Sequence, residues 1–372
     1  MRLWIAAGGT GGHVYPALAV VERLAVSRQP SAVSDRQSAV LWIGGEGGVE
    51  EALVKRAGID FVAISAGGLH GVAAIKAIKN GLKLIAGTFQ TLRLISRFKP
   101  EVLLTTGGFV AGPVAVACWL RRVPIVVYLP DVEPGQAVKF VARLATKIAV
   151  TTDESTKYFP ASKVIVTGYP TRSDLAQADR LTAIQYFDLD PNRKTVLVFG
   201  GSKGARSINR AVGAILEMLL AKCQVIHISG STDADEVRAR RAALADELKS
   251  RYHVFEYVHD MGLAFAAADL VVSRAGASIL GEYPLFGLPS ILVPYPYAWR
   301  YQRVNAEVLV SRGAAIQLDD ATLSEHLLPA IERLMDDNAQ RRAMSAAARS
   351  LARPDPAQAL AKVIAAAVGA QA

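Results

Sequence analysis

Four glycine-rich turns are the first places in this sequence where chemistry could occur. Each follows a short apolar run and precedes an amphipathic stretch, the pattern of a strand that passes through a tight loop into a helix. Such a turn points backbone N–H groups and the positive end of the helix at one spot, so it can bind an anion. The four segments read IAAGGTGGHVYP (5–16), LLTTGGFVAGP (103–113), VLVFGGSKGARSIN (196–209) and LVVSRAGASILGE (270–282).

A dinucleotide-binding fingerprint is the main alternative for the first turn. A GxGxxG pattern that starts at Gly9 would place Val14 at the third glycine. The second predicted strand ends at Gly44, where that fingerprint needs an acidic residue for the ribose. No GxxxxGK[ST] phosphate loop occurs either. The first turn therefore indicates an anion site of another kind.

One histidine and one acidic residue accompany these turns. His13 lies at the start of the first predicted helix, where the positive helix end disfavours imidazolium, so we expect a neutral ring that can accept a proton near pH 7. A polar helix cap is an equally good interpretation of His13 from the local sequence. Glu282 is the only acid between Asp269 and Glu307 and has apolar neighbours, which favours a functional role over a solvent-facing one.

Composition limits the class of protein. A chain of 372 residues predicts two domains, and 51% hydrophobic against 20% charged residues excludes a disordered chain. The sequence lacks an uncharged apolar run near twenty residues, and its short apolar start does not fit a signal peptide, so we expect a cytoplasmic protein. Cys118 and Cys223 are too isolated to predict a disulfide framework or a zinc site. The net charge of +9 suits phosphate, nucleic acid or an anionic membrane face.

The alternation of apolar runs with amphipathic stretches predicts an α/β protein with one parallel sheet in each half. The predicted strands are 2–7, 40–44, 61–65, 102–106, 125–129, 147–151 and 164–167, then 195–199, 224–228, 252–257, 270–273, 290–293 and 315–318. The segment GYPTRSD (168–174) interrupts the pattern, so we expect domains at 1–168 and 169–352. A last helix at about 357–368 is expected to pack back on the first domain.

Read together, these motifs resemble those of the MurG family of glycosyltransferases. The shared motifs are GGTGGH, TTGGF followed by GP, GGSKGA followed by Asn209, HDM, ADLVVSRAGAS, GEYPLFGLP, VPYP and RYQRVNA. They occur in matching order over nearly the whole chain, so the resemblance is far more specific than one glycine turn. It implies the GT-B fold, in which two Rossmann-like domains with parallel sheets face each other across a cleft.

The resemblance also implies an activity. MurG proteins transfer N-acetylglucosamine, with inversion, from UDP-N-acetylglucosamine to undecaprenyl-pyrophosphoryl-N-acetylmuramyl-pentapeptide (lipid I). The product, lipid II, serves peptidoglycan synthesis, and the enzyme lies at the cytoplasmic face of the inner membrane as a peripheral protein. No metal and no cofactor are expected, because fixed N–H groups can take the charge of the departing UDP.

Site residues are carried over from the family position by position. Glu282 matches the contact to the ribose hydroxyls, Val258 faces the uracil through its backbone, and His13 matches the base for the acceptor hydroxyl. The other residues matched to UDP-N-acetylglucosamine are Thr10, Gly11, Gly12, Arg172, Ser202, Ala277, Ser278, Ile279, Leu280, Gly281 and Gln302.

One segment departs from the family pattern. Where the family has His-Glu-Gln-Asn after its fifth strand, this chain has Tyr128, Leu129, Pro130 and Asp131. We predict that the segment is still a binding loop and that Asp131, with Gly107 and Gly108, contacts the acceptor. Tyr301 also replaces a glutamine beside Gln302.

A basic segment from 61 to 100 predicts membrane contact. It holds six Lys or Arg and no Asp or Glu. The lysines Lys76, Lys79 and Lys83 fall at helical spacing beside an apolar stripe, a pattern that suits an anionic bilayer surface as well as a solvated face. The apolar stripe consists of Ile75, Ile78, Leu82 and Ile85. A nucleic-acid partner is not expected, because the run lacks interleaved aromatic residues.

Two alternatives stay open from the sequence. One is a related transferase with another lipid-linked acceptor, or a sugar-nucleotide epimerase of the same fold. The other is a non-catalytic subunit that binds UDP-sugars, which the altered segment at 128–131 favours and the presence of both His13 and Glu282 opposes.

Overall fold

The structure is a computed structural model, and it describes residues 1–8, 11–26, 40–48, 50–68, 74–201, 203–297 and 300–369. The chain divides into two compact units. Unit 1 comprises Met1–Arg172 with Arg353–Ala372, and unit 2 comprises Ser173–Ala352. The division falls inside the GYPTRSD segment.

Unit 1 is built on a parallel sheet of seven strands in the order β3-β2-β1-β4-β5-β6-β7. Helices alternate with the strands, as the sequence pattern predicts. The elements are β1 (Leu3–Ala7), α1 (Gly11–Val26), β2 (Val40–Gly45), α2 (Glu50–Arg56), β3 (Asp60–Ile64), α3 (Ala74–Phe98), β4 (Val102–Gly107), α4 (Ala111–Leu120), β5 (Ile125–Leu129), α5 (Gln136–Leu144), β6 (Lys147–Val150) and β7 (Val164–Val166), with a 3₁₀ turn at Asp153–Tyr158.

Unit 2 repeats the architecture with six parallel strands in the order β10-β9-β8-β11-β12-β13. Its elements are α6 (Arg180–Tyr186), β8 (Thr195–Phe199), α7 (Arg206–Ala214), α8 (Leu216–Lys222), β9 (Gln224–Ile228), α9 (Ala234–Ala243), α10 (Asp246–Lys249), β10 (Tyr252–Phe255), α11 (Met261–Ala267), β11 (Leu270–Ser273), α12 (Ile279–Phe286), β12 (Ser290–Leu292), α13 (Tyr301–Ser311), β13 (Ala315–Gln317), α14 (Leu323–Asp336) and α15 (Asn338–Ser350), with 3₁₀ turns at Leu175–Gln177 and Asp320–Thr322.

The last helix, α16 (Pro356–Gly369), returns to unit 1. Its apolar side chains, including Leu360 and Ile364, join the core that Leu3 and Trp42 form on one face of the sheet. Proline at the first position of a helix is favourable, because its missing N–H would have no partner within the helix, so Pro356 starts α16. The carboxyl terminus thereby covers the amino-terminal sheet.

The predicted α/β class and all thirteen predicted strands are confirmed, with bounds that differ by at most two residues. Both sheets are entirely parallel, and their inner strands are buried on both faces, which explains why these strands appear in the sequence as continuous apolar runs. Within the described part of the chain, no helix is both long and apolar enough to cross a bilayer.

Each sheet contains one point where the strand order reverses. In unit 1 this switch point lies between β1 and β4, and in unit 2 it lies between β8 and β11. The loops that leave the carboxyl ends of two such strands diverge to opposite faces, which opens a crevice where α/β proteins bind ligands. The four glycine turns follow these four strands.

Candidate functional site

The first two glycine turns meet at the switch point of unit 1. Gly108 has a left-handed backbone with φ of +87°, and a side chain there would come within 2.7 Å of the Gly8 carbonyl oxygen. The backbones after β1 and β4 therefore approach too closely for any residue but glycine. Gly107, also left-handed at +110°, lies beside the His13 ring: a side chain on Gly107 would stand 3.8 Å from His13 Nε2.

His13 is the third residue of α1 and is partly buried. The Thr106 hydroxyl donates to its backbone carbonyl at 2.9 Å, which ties the first turn of α1 to the end of β4. Burial lowers the pKa of the imidazole below its usual value, and the nearby Asp131 carboxylate raises it by a smaller amount. His13 is therefore mainly neutral near pH 7, as predicted, and the dominant cause is burial of the ring.

The segment 128–131 corrects one expectation. Tyr128 and Leu129 lie inside β5, and the Tyr128 side chain is fully buried in the core, where its hydroxyl lies 2.7 Å from Thr151 Oγ1. Burial raises the pKa of that phenol well above its usual value. The prediction of a binding loop is therefore wrong for Tyr128 and Leu129. Only Pro130, Asp131 and the residues after them leave the strand, and Asp131 lies close enough to His13 to influence its charge.

Three other predicted residues of unit 1 lie on α1 or against it. Thr10 lies outside the described residues, whereas Gly11 and Gly12 form the first turn of α1. The Arg172 guanidinium stacks on the Tyr15 ring, with its carbon 5.5 Å from the ring centroid. Arg172 thus packs against the helix that carries His13.

The third and fourth glycine turns meet at the switch point of unit 2, and Arg274 joins them. Its guanidinium donates to Ser207 Oγ of α7 at 2.7 Å and to Asp320 Oδ1 at 2.5 Å. It also donates to the Val293 carbonyl at 3.1 Å and stacks over the Tyr295 ring. Arg274 therefore locks the turn after β11 to the helix that follows the turn after β8.

Two amides of α13 hold the peptide groups of the fourth turn. Gln302 Oε1 accepts from the N–H of Tyr295 at 2.9 Å and from that of Ala275 at 3.3 Å. The Asn305 side chain is fully buried, and its NH₂ donates to the Ala275 carbonyl at 3.2 Å. Both sides of the Ala275 residue are thus held by side chains of the RYQRVNA motif.

Six of the predicted donor residues, 277–282, lie in the first half of α12 and directly before it. The side chains of Ala277, Ile279 and Leu280 are buried, while those of Ser278 and Glu282 are partly exposed. The backbone N–H groups of 279–281 donate three residues back, to the carbonyls of 276–278, at 3.1 to 3.2 Å. A diphosphate at this turn must share these N–H groups or use those of the loop before them.

Glu282 lies in the first turn of α12, directly before the buried Tyr283. Tyr283 is fully buried, and its hydroxyl lies 2.5 Å from Ser273 Oγ at the end of β11. Burial raises the pKa of Tyr283 far above its usual value, and the neighbouring Glu282 carboxylate raises it further. The Tyr283–Ser273 bond fixes α12 against its strand and with it the direction in which Glu282 projects. Gly281 lies partly exposed beside it.

Val258 and Ser202 complete the predicted donor set. Val258 lies between β10 and α11 with its side chain buried. Ser202 lies outside the described residues, but its neighbours Gly201 and Gly204 both have left-handed backbones. Both positions therefore favour glycine.

Sequence reasoning missed Arg274 and Asn305. Both belong to motifs quoted for the resemblance, ADLVVSRAGAS and RYQRVNA, and both are polar residues within apolar surroundings. A polar residue in that context signals a buried hydrogen-bonding role, although it does not identify the partner.

Family comparison identifies two matching domain models. The glycosyltransferase family 28 N-terminal domain matches residues 3–150, and the glycosyltransferase family 28 C-terminal domain matches residues 195–360.

Similar proteins of known name share nearly the whole chain. A UDP-N-acetylglucosamine--N-acetylmuramyl-(pentapeptide) pyrophosphoryl-undecaprenol N-acetylglucosamine transferase of Roseiflexus sp. (strain RS-1) is 41% identical over 97% of this chain and 94% of its own. The protein of the same name from Listeria monocytogenes (strain EGD-e) is 34% identical over 98% of this chain and 99% of its own. The crystal structure of Acinetobacter baumannii MurG has a TM-score of 0.76 at 25% identity, covering 98% of this chain and all of that one. The expected GT-B class is thereby confirmed.

Proposed function

The chain belongs to the MurG family of glycosyltransferases, and from that premise we propose that it transfers N-acetylglucosamine from UDP-N-acetylglucosamine to undecaprenyl-pyrophosphoryl-N-acetylmuramyl-pentapeptide. The observation that carries the proposal is His13, a partly buried and mainly neutral imidazole at the switch point of unit 1. A subunit that only binds UDP-sugars has no need for a proton acceptor in that place.

Unit 2 is the donor-binding unit in this proposal. The third and fourth glycine turns supply N–H groups for the diphosphate, and Arg274, Gln302 and Asn305 hold those turns in place. Glu282 accepts hydrogen bonds from the ribose hydroxyls, and the backbone of Val258 faces the base. The preorganised N–H groups stabilise the negative charge of the departing UDP without reorganising during the reaction.

His13 is the general base in this proposal. It takes the proton of the acceptor hydroxyl while that oxygen forms a bond to the anomeric carbon of the donor sugar. The bond from the anomeric carbon to the diphosphate breaks in the same step, and UDP leaves with the electron pair. Attack from the side opposite UDP inverts the anomeric centre.

Asp131 is the proposed acceptor contact in unit 1, together with Gly107 and Gly108. Strand order supports this role, because β4 and β5 are neighbours and their carboxyl ends meet at the same edge of the sheet. Since the segment 128–131 differs from the family pattern, a transferase that uses another lipid-linked acceptor is the second candidate function.

An exposed apolar stripe on α3 supports membrane contact. Leu82, Ile85 and Phe89 lie on one face of the helix and are 63%, 57% and 62% exposed. The exposed Lys79 and Lys83 border this stripe, so the face offers both apolar contacts and positive charge to an anionic bilayer. Ile75, Lys76 and Ile78 were also predicted to face the membrane, but their side chains are not among those that the structure describes. We place the enzyme as a peripheral protein at the cytoplasmic face of the inner membrane, with no nucleic-acid partner.

A transfer assay tests the catalytic proposal. Radiolabelled UDP-N-acetylglucosamine is supplied with lipid I or with sugar-free polyprenyl phosphate, and labelled lipid is measured after extraction. We expect transfer to lipid I alone. Transfer to neither acceptor by a folded protein that binds the donor would contradict the assignment of lipid I and favour the second candidate.

Vesicle binding tests the membrane proposal. Replacing Lys79 and Lys83 by Ala should weaken binding to anionic vesicles by about 2 kcal/mol at low salt, since each cation near such a surface contributes about 1 kcal/mol. The matched control replaces two exposed cations far from α3 in the chain, Arg342 on α15 and Lys362 on α16, by Ala. Equal partitioning of the unmodified protein onto neutral and anionic vesicles would refute this part of the proposal.

A further inference from the structure

A buried polar network connects β9 and β10, the two strands at one side of the unit 2 sheet, to the third glycine turn. It consists of His227 on β9, Tyr252 on β10, Asn209 on α7 and Asp233 before α9, none of them more than 5% exposed. We propose that His227, in its neutral form, is a positioning residue of the donor site and holds the third turn through Asn209. This inference rests on the proposed function, in which that turn binds the donor diphosphate.

The hydrogen bonds of the network determine the tautomer of His227. The Asn209 NH₂ donates to the Ser229 carbonyl and to Asp233 Oδ2, both at 2.9 Å. Its oxygen must then accept from His227 Nε2, which lies 3.0 Å away, so Nε2 carries the proton. The other ring nitrogen, Nδ1, accepts from the Tyr252 hydroxyl at 2.6 Å.

Burial of the ring favours this neutral state. Burial lowers the pKa of His227 to about 4, and the Arg240 guanidinium lowers it while the Asp233 carboxylate raises it. Asp233 itself is paired with Arg206 Nε at 2.9 Å. A protonated ring would remove the acceptor that Tyr252 uses and bring a charge into the core.

The network reaches the glycine turn through backbone contacts. Ser229 accepts from Asn209, and a side chain on Gly204 would come within 2.1 Å of that same Ser229 oxygen. A side chain on Gly230 would likewise come within 2.0 Å of the Gly204 nitrogen. The turn after β8 is therefore packed directly on the peptide groups that Asn209 holds.

Arg206 closes the arrangement from the other side. It is the first residue of α7, directly after the turn, and its bond to Asp233 fixes the start of that helix. His227 thus acts at a distance: it orients Asn209, which holds both Ser229 and Asp233. Loss of the His227 bond would leave the turn with a broader range of positions, so that N–H groups meet the diphosphate less often in the binding geometry.

Donor affinity tests the inference. His227→Leu removes both hydrogen bonds at similar volume, and His227→Gln keeps a donor and an acceptor at the end of the side chain. We expect His227→Leu to weaken UDP-N-acetylglucosamine binding about tenfold, as measured by calorimetry below the unfolding temperature, and His227→Gln to recover most of it. The matched control is His253→Leu on β10, whose Nε2 has no hydrogen-bond partner among the described residues.

Two further readouts separate positioning from general stability. Amide exchange at Gly204 to Asn209 should accelerate in His227→Leu and remain unchanged in His253→Leu. A double-mutant cycle with Asn209→Ala should be strongly non-additive in donor affinity, because both substitutions break one chain of bonds. Should His227→Leu fail to fold, Tyr252→Phe removes only the bond to Nδ1 and should weaken binding about threefold.

Unchanged donor affinity and unchanged exchange at the turn in folded His227→Leu would overturn the inference. If the unmodified protein itself fails to bind UDP-N-acetylglucosamine, the proposed function fails instead. The exchange rates at the turn then still report whether His227 holds it.

Discussion

The switch points of the two units have the same strand topology and different side-chain chemistry. In unit 1, the crevice after β1 and β4 contains a partly buried histidine, His13. Burial lowers its pKa, and the Asp131 carboxylate raises it by a smaller amount. In unit 2, the crevice after β8 and β11 is surrounded by polar side chains that donate to or accept from its backbone, with Arg274 at the centre. In the proposed function, the same fold thus serves once to hold a reactive group and once to form a rigid binding surface.

This difference follows from what each task requires. A general base needs a pKa near the working pH, which burial and a neighbouring charge can set for a single side chain. A diphosphate needs several N–H groups at fixed positions, which only a restrained backbone offers. Gln302 and Asn305 supply that restraint at Ala275.

Removal of the base should have the largest effect. His13→Ala should lower kcat by about a hundred- to ten-thousand-fold, the usual contribution of general base catalysis, with the affinity for UDP nearly unchanged. Transfer assays and calorimetry on the same preparation measure the two quantities. Full turnover by this variant would leave His13 only a capping role and remove the contrast between the two crevices.

Removal of a donor contact should have the next largest effect, with the opposite signature. Glu282→Ala should weaken UDP binding by about 1.5 to 3 kcal/mol, the range for hydrogen bonds to a charged group. Glu325→Ala, at an exposed position on α14, is the matched control and should bind UDP normally. Calorimetric titration with unchanged affinity for Glu282→Ala would exclude this carboxylate from the donor site.

Removal of the Asp131 charge should have the smallest effect, a shift in the pH dependence of activity. The lowered pKa of His13 keeps the base form present until the pH falls through that value, so activity declines on the acid side. Because the Asp131 carboxylate raises the pKa of His13, Asp131→Asn should move this decline to lower pH. Measurement of kcat/KM against pH checks the shift.

Kinetics at a fixed pH test the second role of Asp131. Asp131→Ala should raise the acceptor KM or lower kcat without changing UDP affinity. Loss of UDP binding with unaltered acceptor kinetics would assign Asp131 to the donor and contradict the division of tasks between the units. If acceptor KM, kcat and UDP affinity are all unchanged in Asp131→Ala, the acceptor does not contact Asp131.

Much of this architecture could be predicted from local sequence alone. Parallel strands buried on both faces are continuous apolar runs, and each run ends at a glycine or polar turn, so strands such as 125–129 and 195–199 are found at their predicted bounds. His13 and Glu282 could be selected because they are the only histidine and the only acidic residue in the four turn segments.

The hydrogen-bonded pairs of unit 2 could not be predicted in the same way. Arg274 and Ser207 are 67 positions apart, and Arg274 and Asp320 are 46 apart. Their contact depends on which strands become neighbours, and many strand orders are compatible with the same set of apolar runs. The motif containing Arg274 was visible in the sequence, but its partners were not.

The element types, the glycine turns and the candidate base could be predicted from the chain alone, because they depend on periodicity and on residues close in sequence. That Tyr128 belongs to the core and that Asp131 lies near His13 became visible only with the tertiary contacts. Side chains on both faces of β5 stay buried under helices up to the last residue of the strand, Leu129. Asp131 is the first residue after the strand whose side chain is partly exposed. Where β5 ends depends on its pairing with β4 and β6 and on its packing against α16, which lies more than two hundred positions away in the chain.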